Sequence, residues 1–245
     1  MKKLLLMTVG FAALGMAPAV AADLAPRMYT KAPVPVPVVT WGGFYLGVEG
    51  GAGSSRDAWS FDGNFGIPFG SPDGSGAVGG GVIGYNWQLP NNLVLGVEGN
   101  LDAADIKGTA TCFLPGDECH SKLDSMYSVT GRLGYAASGA LGPILVYGKA
   151  GAAWAKQKLS ITVDDFFAES GSATRTGWTV GTGFEYMFAP SWSVKFEYDY
   201  YDFGNKSAQL ASGGEAGDLV DSKLTVNTIK AGVNYHFGDP FTPKF

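Results

Sequence analysis

The sequence predicts an all-β fold, an eight-stranded antiparallel transmembrane β-barrel of the outer-membrane type. Three observations predict it. The chain opens with an export signal. Beyond that signal no run approaches the ~18 consecutive apolar residues of a spanning helix. From Trp41 onward, segments of ~10 residues alternate apolar and polar side chains between turn residues. A chain that enters hydrocarbon without a helix does so as strands in a closed ring.

The signal comes first. Lys2 and Lys3 precede an apolar stretch from Leu4 to Met16 and the small-residue run Ala19-Val20-Ala21, which assigns residues 1–21 to a secretory signal cleaved after Ala21. A transmembrane helix is the competing reading, opposed by Gly10, Gly15 and Pro18 within a stretch short for a bilayer. Residues 22–41 form a proline-rich periplasmic lead-in with Pro26, Pro33, Pro35 and Pro37. Alternating proline removes backbone donors and favours polyproline extension. The segment therefore reads as a tether or as a contact for peptidoglycan or another partner.

The alternation places strands at 42–53, 76–89, 93–106, 124–138, 143–158, 174–188, 192–203 and 224–237, within a barrel at 42–238 that is followed by a C-terminal extension at 239–245. Tight connections (Pro90-Asn91-Asn92, Ser138 to Gly142, Ala189-Pro190-Ser191) alternate with long ones at 54–75, 107–123, 159–173 and 204–223. Short periplasmic turns and longer outer loops are the habit of this barrel class, and an even strand count leaves both chain ends on the periplasmic side.

Which face meets lipid is decided by composition. In LVLGVEGNLDA, residues 93–103, Leu93, Leu95, Val97 and Leu101 lie opposite Gly96, Glu98, Asn100 and Asp102. Charged residues are 16% of the chain and glycines 37 of 245, whereas soluble domains carry about 25% charge. A face of Gly, Ser, Asn and few charges suits a crowded lumen better than a wet exterior. Phe44, Leu46, Val48, Ile83, Tyr85, Val180, Phe184, Val194, Phe196, Ile229 and Val233 are thus expected to face lipid. Aromatic girdles are expected at the periplasmic rim (Trp87, Tyr135, Phe188, Trp192, Tyr235, Phe237) and the outer rim (Tyr127, Trp154, Trp178, Tyr200).

The opposite face carries Glu49, Glu98, Arg132, Lys149, Glu185, Lys195, Glu197, Asp199 and Lys230. Glu49, Glu98, Arg132, Lys149 and Glu197 fall at a similar depth along their strands, which predicts a salt-bridged plug in a lumen narrow enough to be filled by side chains. Solvated side chains in a wet lumen are the alternative. Paired carboxylates for glycoside chemistry need a cleft, and a filled barrel has none.

Cys112 and Cys119, in CFLPGDEC, are expected to form a loop-closing disulfide in an exported protein. Two thiols beside His120 fall short of a closed metal set, so no metal site is expected. Neither His120 nor the other histidine, His236, has a Ser or Asp partner at motif spacing, so no catalytic residues are assigned; His236, pointing inward near the periplasmic end of the last strand, is expected to be a hydrogen-bonded lumen residue. The segment from Trp59 to Pro72 gathers Trp59, Phe61, Phe65, Ile67 and Phe69, readable as self-packing over the barrel mouth or as a ligand site. Loss of Lys2 and Lys3 takes the formal charge from -5 to -7, so no nucleic-acid partner is expected.

The stretches WGGFYLGVEGGAG, GGGVIGYNWQLPNNLVLGVEGNLD and TIKAGVNYHFGDPFTPKF together resemble the small outer-membrane immunogenic proteins of alphaproteobacteria, whose barrels are similar to the N-terminal barrel of OmpA. The resemblance covers about residues 41 to 245. It implies an integral outer-membrane protein that supports envelope integrity, bounded by outer-membrane lipid and lipopolysaccharide. It also implies a terminal aromatic signal for the barrel-assembly machinery, mapping here onto Tyr235 and Phe237, with Gly238 to Phe245 as an addition to the simplest pattern. Host contact or haemin binding by the outer loops is claimed for some relatives; a narrow pore of the porin type is the alternative function, and no cofactor or enzymatic activity is expected. For the cysteines the expected outcome is concrete. Mass spectrometry of the folded, non-reduced protein should find both thiols oxidised, and two alkylatable thiols would refute the disulfide.

Overall fold

The computed structural model describes residues 40–61, 68–111, 118–139, 142–163, 167–212 and 215–238. Within them the chain forms β1 (Gly43–Phe61), β2 (Pro68–Gly70), β3 (Gly74–Gln88), β4 (Leu93–Thr111), β5 (Glu118–Gly139), β6 (Gly142–Val163), β7 (Phe167–Ala189), β8 (Trp192–Ser212) and β9 (Glu215–His236). All pairings are antiparallel between neighbours in sequence, except that β2 is a three-residue strand on the end of β1 and that β1 also pairs β9. That last pairing closes an eight-stranded ring. The signal segment, most of the proline-rich lead-in and the extension at 239–245 lie outside the described residues.

The ring is strongly sheared. Following cross-strand partners from Glu185 through Lys195, Gly232, Glu49, Gly80, Asp102, Met126 and Ala155 leads back to β7 at Arg175, ten residues from the start. Side chains equally deep in different strands therefore do not sit at equal heights by sequence count alone. Tight turns gather at one end. Asn92, at φ 65, closes the turn between β3 and β4, a left-handed conformation that asparagine tolerates.

Alternation is inverted relative to a soluble sheet. Phe44, Leu46, Val48, Ile83, Leu95, Val97, Leu101, Val180, Phe184, Phe196 and Ile229 all point outward and are exposed, from 44% to 68%. Tyr85, Val194 and Val233 share that face. The rim aromatics stack there too: Trp192 lies 5.0 Å from Tyr235, Tyr235 4.9 Å from Phe237, and Trp178 5.6 Å from Tyr200.

The strands are longer than the alternation predicts. Outward on β4, the apolar run ends at Ala103 and is followed by Asp105 and Lys107, yet the ladder continues to Thr111. The expected long connections at 54–75, 107–123, 159–173 and 204–223 are mostly strand, because a paired hairpin goes on satisfying its backbone groups after leaving the apolar zone. The sequence signal fades there because the outward face becomes polar while the inward face mixes apolar side chains such as Leu123 and Leu159 with polar ones such as Asp57 and Ser121. A charge at mid-belt is costly where one at the rim is not. Val97→Arg should destabilise the protein by about 2–4 kcal/mol in lipid vesicles, against at most about 1 kcal/mol for Ser54→Arg at the outer edge of the same face. Equal costs in reversible unfolding would place the apolar belt wrongly.

Candidate functional site

The lumen is the place where chemistry-bearing side chains converge. Arg132 on β5 is one of its buried cations. Its Nη2 donates to Glu185 Oε2 at 2.6 Å and its Nη1 to the Tyr45 hydroxyl at 3.2 Å, with Glu98 Oε2 3.6 Å from Nη1. The guanidinium also lies 3.5 Å from the centroid of the Tyr147 ring, a cation–π contact inside the wall. Lys149 reaches Glu98 at 3.0 Å, Glu197 at 2.6 Å and Asp199 at 3.3 Å. Lys195 and Lys230 grip the two oxygens of Glu49 at 2.5 Å each, and Lys230 extends to Asp102 at 3.1 Å and Asp199 at 3.4 Å. Tyr45 donates to Glu98 at 2.7 Å and Tyr147 to Glu197 at 2.8 Å.

Six carboxylates, Glu49, Glu98, Asp102, Glu185, Glu197 and Asp199, thus share four permanent cations, Arg132, Lys149, Lys195 and Lys230, all buried. Asp102 stood on the polar face in sequence but was not among the residues expected in the network. Glycines make the room. Both cross-strand neighbours of Glu49 are glycines, Gly80 and Gly232. A Cβ on Gly84 would meet the Tyr45 ring at 2.3 Å, and one on Gly181 would meet Asp199 Oδ1 at 2.1 Å.

At the tight-turn end, the interior is closed by Trp41, Val94, Ala136, Leu145, Tyr147 and Met187. Trp41, the last residue of the expected lead-in, tucks inside, its backbone N–H donating to Gln88 Oε1 at 2.7 Å. Beneath it lies a group that sequence spacing did not reveal. The register of β7, β8 and β9 brings Ser193 and Glu185 to His236, which is hydrogen-bonded in the lumen as expected: Nε2 is 2.9 Å from Ser193 Oγ and 3.1 Å from Glu185 Oε1, and Ser193 donates to Glu185 at 2.5 Å. The arrangement is not a catalytic triad. A triad uses opposite ring nitrogens for nucleophile and carboxylate, whereas here both meet Nε2, and the serine is fully buried.

Toward the long-loop end, an apolar layer including Val78, Ile106, Leu123, Met126, Tyr201 and Phe203 fills the lumen above the charges. A second polar cluster lies beyond it. Asp57 accepts from Ser121 at 2.9 Å, from Gln157 at 2.5 Å and from Ser222, while Arg175 donates to Gln157 Oε1 at 2.5 Å and to the Ser222 carbonyl at 2.8 Å. Asp57, Ser121 and Ser222 sit in segments expected to be loops, so their inward direction had no periodic signal. Unrecognised strand length hid the cluster.

The other expected positions are placed as follows. Tyr235 and Phe237 face outward at the end of β9, and the Phe237 N–H donates to the Phe44 carbonyl at 2.9 Å. Cys119 is buried at the start of β5, and Cys112 lies outside the described residues. His120 lies on β5, not in a loop, 3.1 Å from Thr109 Oγ1 and 3.4 Å from Glu118. Phe65 and Ile67 lie outside the described residues, and only the backbone is described at Trp59, Phe61 and Phe69. Among the described residues no cluster of three or more His, Cys, Asp or Glu is arranged to hold a metal ion.

Comparison with known proteins agrees with this architecture. The chain is 31% identical over 259 residues to the 31 kDa outer-membrane immunogenic protein of Brucella melitensis, covering 97% of this chain and all of that one. It is 35% identical over 213 residues to the 22 kDa outer membrane protein of Rhizobium leguminosarum bv. viciae, covering 84% and 82%. Among solved structures, the attachment invasion locus protein Ail of Yersinia pestis aligns over 79% of this chain and 99% of that chain at 15% identity, with a TM-score of 0.36. Residues 9–237 match the outer membrane protein beta-barrel domain. The chain belongs to that family and is an integral protein of the outer membrane.

Proposed function

We propose that this protein is a structural barrel that supports envelope integrity, closed along its axis, with its outer loops available for recognition. The observation that carries this reading is the filled lumen: a tryptophan-capped apolar floor, a tier of shared ion pairs, an apolar tier, and a polar seal at Asp57 and Arg175. An eight-stranded ring has width only for its own side chains. A charged pair in such a space leaves no path for hydrated ions unless it breaks. In this reading the turn end faces the periplasm, Tyr235 and Phe237 form the aromatic end read by the assembly machinery, and the carboxylates hold bases rather than act on a substrate.

Conductance tests it. The refolded protein in a planar bilayer should show little steady current, and Arg132→Ala should open more often, because it frees Glu185 and Glu98 from their shared cation. A large, stable wild-type current indifferent to that substitution would make the protein a pore. The network also has an asymmetry that stability can read. With six acids on four bases, removing a base should cost about 3–5 kcal/mol in Arg132→Ala, whereas Asp102→Asn, which relieves the acidic excess, should cost no more than about 1 kcal/mol. Denaturant unfolding in vesicles distinguishes these, and equal costs would mean that the tier is not held by its ion pairs.

A further inference from the structure

Outside the barrel, just beyond the apolar belt, Lys107, Lys122 and Lys158 stand in one row. Lys107 is the direct cross-strand partner of Lys122, and Lys122 of Lys158, all on the outward face of β4, β5 and β6. Like charges directly opposite one another destabilise a sheet. Among the described residues two aspartates offset them: Asp105 lies 2.9 Å from Lys107 and 3.6 Å from Lys122, and Asp124 lies 3.3 Å from Lys122 and 2.6 Å from Lys158. The hydrogen bonds from Lys158 and Lys122 hold the Asp124 carboxyl below its usual range, so it stays an anion. Lys156 adds a further exposed cation on β6. The three lysines of the row remain 42% to 64% exposed and line one wall of a groove of about 600 Å³, together with Thr109, His120 and Ser160.

Height fixes what this groove meets. On β4 the outward residues below Lys107 are Asp105 and then Ala103 and Leu101, and on β6 Trp154 stands directly below Lys156 and Lys158. The row is thus at the level of lipid headgroups, with apolar surface for acyl chains beneath it. Lysines at such a level attract anionic headgroups by about 1 kcal/mol each, and their stems lie along the apolar wall while the ammonium stays wet.

We propose that Lys107, Lys122 and Lys158 form a binding site for the phosphate groups of a glycolipid headgroup in the outer leaflet, fixing the barrel's rotation and depth in that leaflet. The proposal rests on the loop end being the outer one, as in the functional reading above. None of the three lysines touches the lumen tier, so low conductance should persist in their variants, and failure here leaves the closed-barrel reading standing.

The test uses the full chain refolded in zwitterionic micelles and titrated with lipopolysaccharide, followed by tryptophan fluorescence, with folding checked by heat-modifiable mobility. Lys122→Gln/Lys158→Gln should weaken binding by about tenfold or more. Lys206→Gln/Lys223→Gln, which removes the same charge from β8 and β9, should change it by less than about threefold, since distant charges are screened. Lipopolysaccharide stripped of its phosphates should bind the wild type as weakly as the intact form binds the first variant, and Lys122→Arg/Lys158→Arg should retain binding. Equal weakening by both glutamine pairs, indifference to the loss of phosphates, or displacement by inorganic phosphate alone would overturn the assignment. Were the glutamine pair not to fold, the phosphate-stripped arm on the wild type decides by itself.

Discussion

Every backbone amide and carbonyl that crosses the hydrocarbon must find its partner within the wall, and the seam between β1 and β9 is where this protein meets that demand. Its ladder runs from Tyr45 opposite His236 to Phe61 opposite Val220, with no break along its length. Without it, two strand edges would face lipid with unpaired polar groups, at several kcal/mol each. The inverted alternation, the even strand count and the narrow lumen all follow from closing the ring. So does the meeting of β9 with β1 that sets Lys230 beside Glu49.

Closure creates a second problem, which the lumen solves with charge. Inward residues of eight sheared strands are forced into a space without bulk water, where an isolated ion is expensive and a paired one is tolerable. Each of the four cations of the charged tier serves more than one acid. Lys149 meets three carboxylates, Lys230 four and Arg132 two, and tyrosine hydroxyls take up further oxygens. Such sharing ties strands far apart in sequence to one another, so the interior braces the wall. The glycines opposite Glu49 belong to the same solution, since a Cβ at Gly80 would run into Asp102 and one at Gly232 into the Glu49 side chain.

The wall does not stop at the membrane surface. Its hairpins continue outward with polar residues on the outer face, and the interior continues with them, from charged tier to apolar tier to the hydrogen-bonded cluster around Asp57. This extension gives the barrel an external belt on which Lys107, Lys122 and Lys158 align, because antiparallel pairing sets like positions of successive hairpins side by side. The same geometry that satisfies the backbone therefore writes a surface charge pattern at headgroup height.

The barrel class, its strand count and the outward face of each strand were legible in the sequence, since a period of two in Leu93, Leu95 and Val97 survives any later packing. The inward face was legible for the same reason, and with it the side on which Glu98, Arg132 and Lys149 stand. What meets what was legible only in part: Arg132 and Glu98, at similar depth on neighbouring strands, do lie 3.6 Å apart. Depth along a strand places Glu49 and Arg132 in one tier, but a shear of ten residues turns tiers into a spiral, so that Arg132 meets Glu185 and Glu49 meets Lys195 and Lys230. The gathering of Ser193, Glu185 and His236 likewise appears only when β7, β8 and β9 are paired in register. Strand length was also hidden, because once the apolar belt ends at Ala103 the outward face of β4 turns polar, the alternation of the belt stops, and hydrogen bonding to β5 keeps the chain extended. Local alternation is a property of one strand and can be read from it; register, shear and closure are properties of the ring, and exist only when all eight strands are in place.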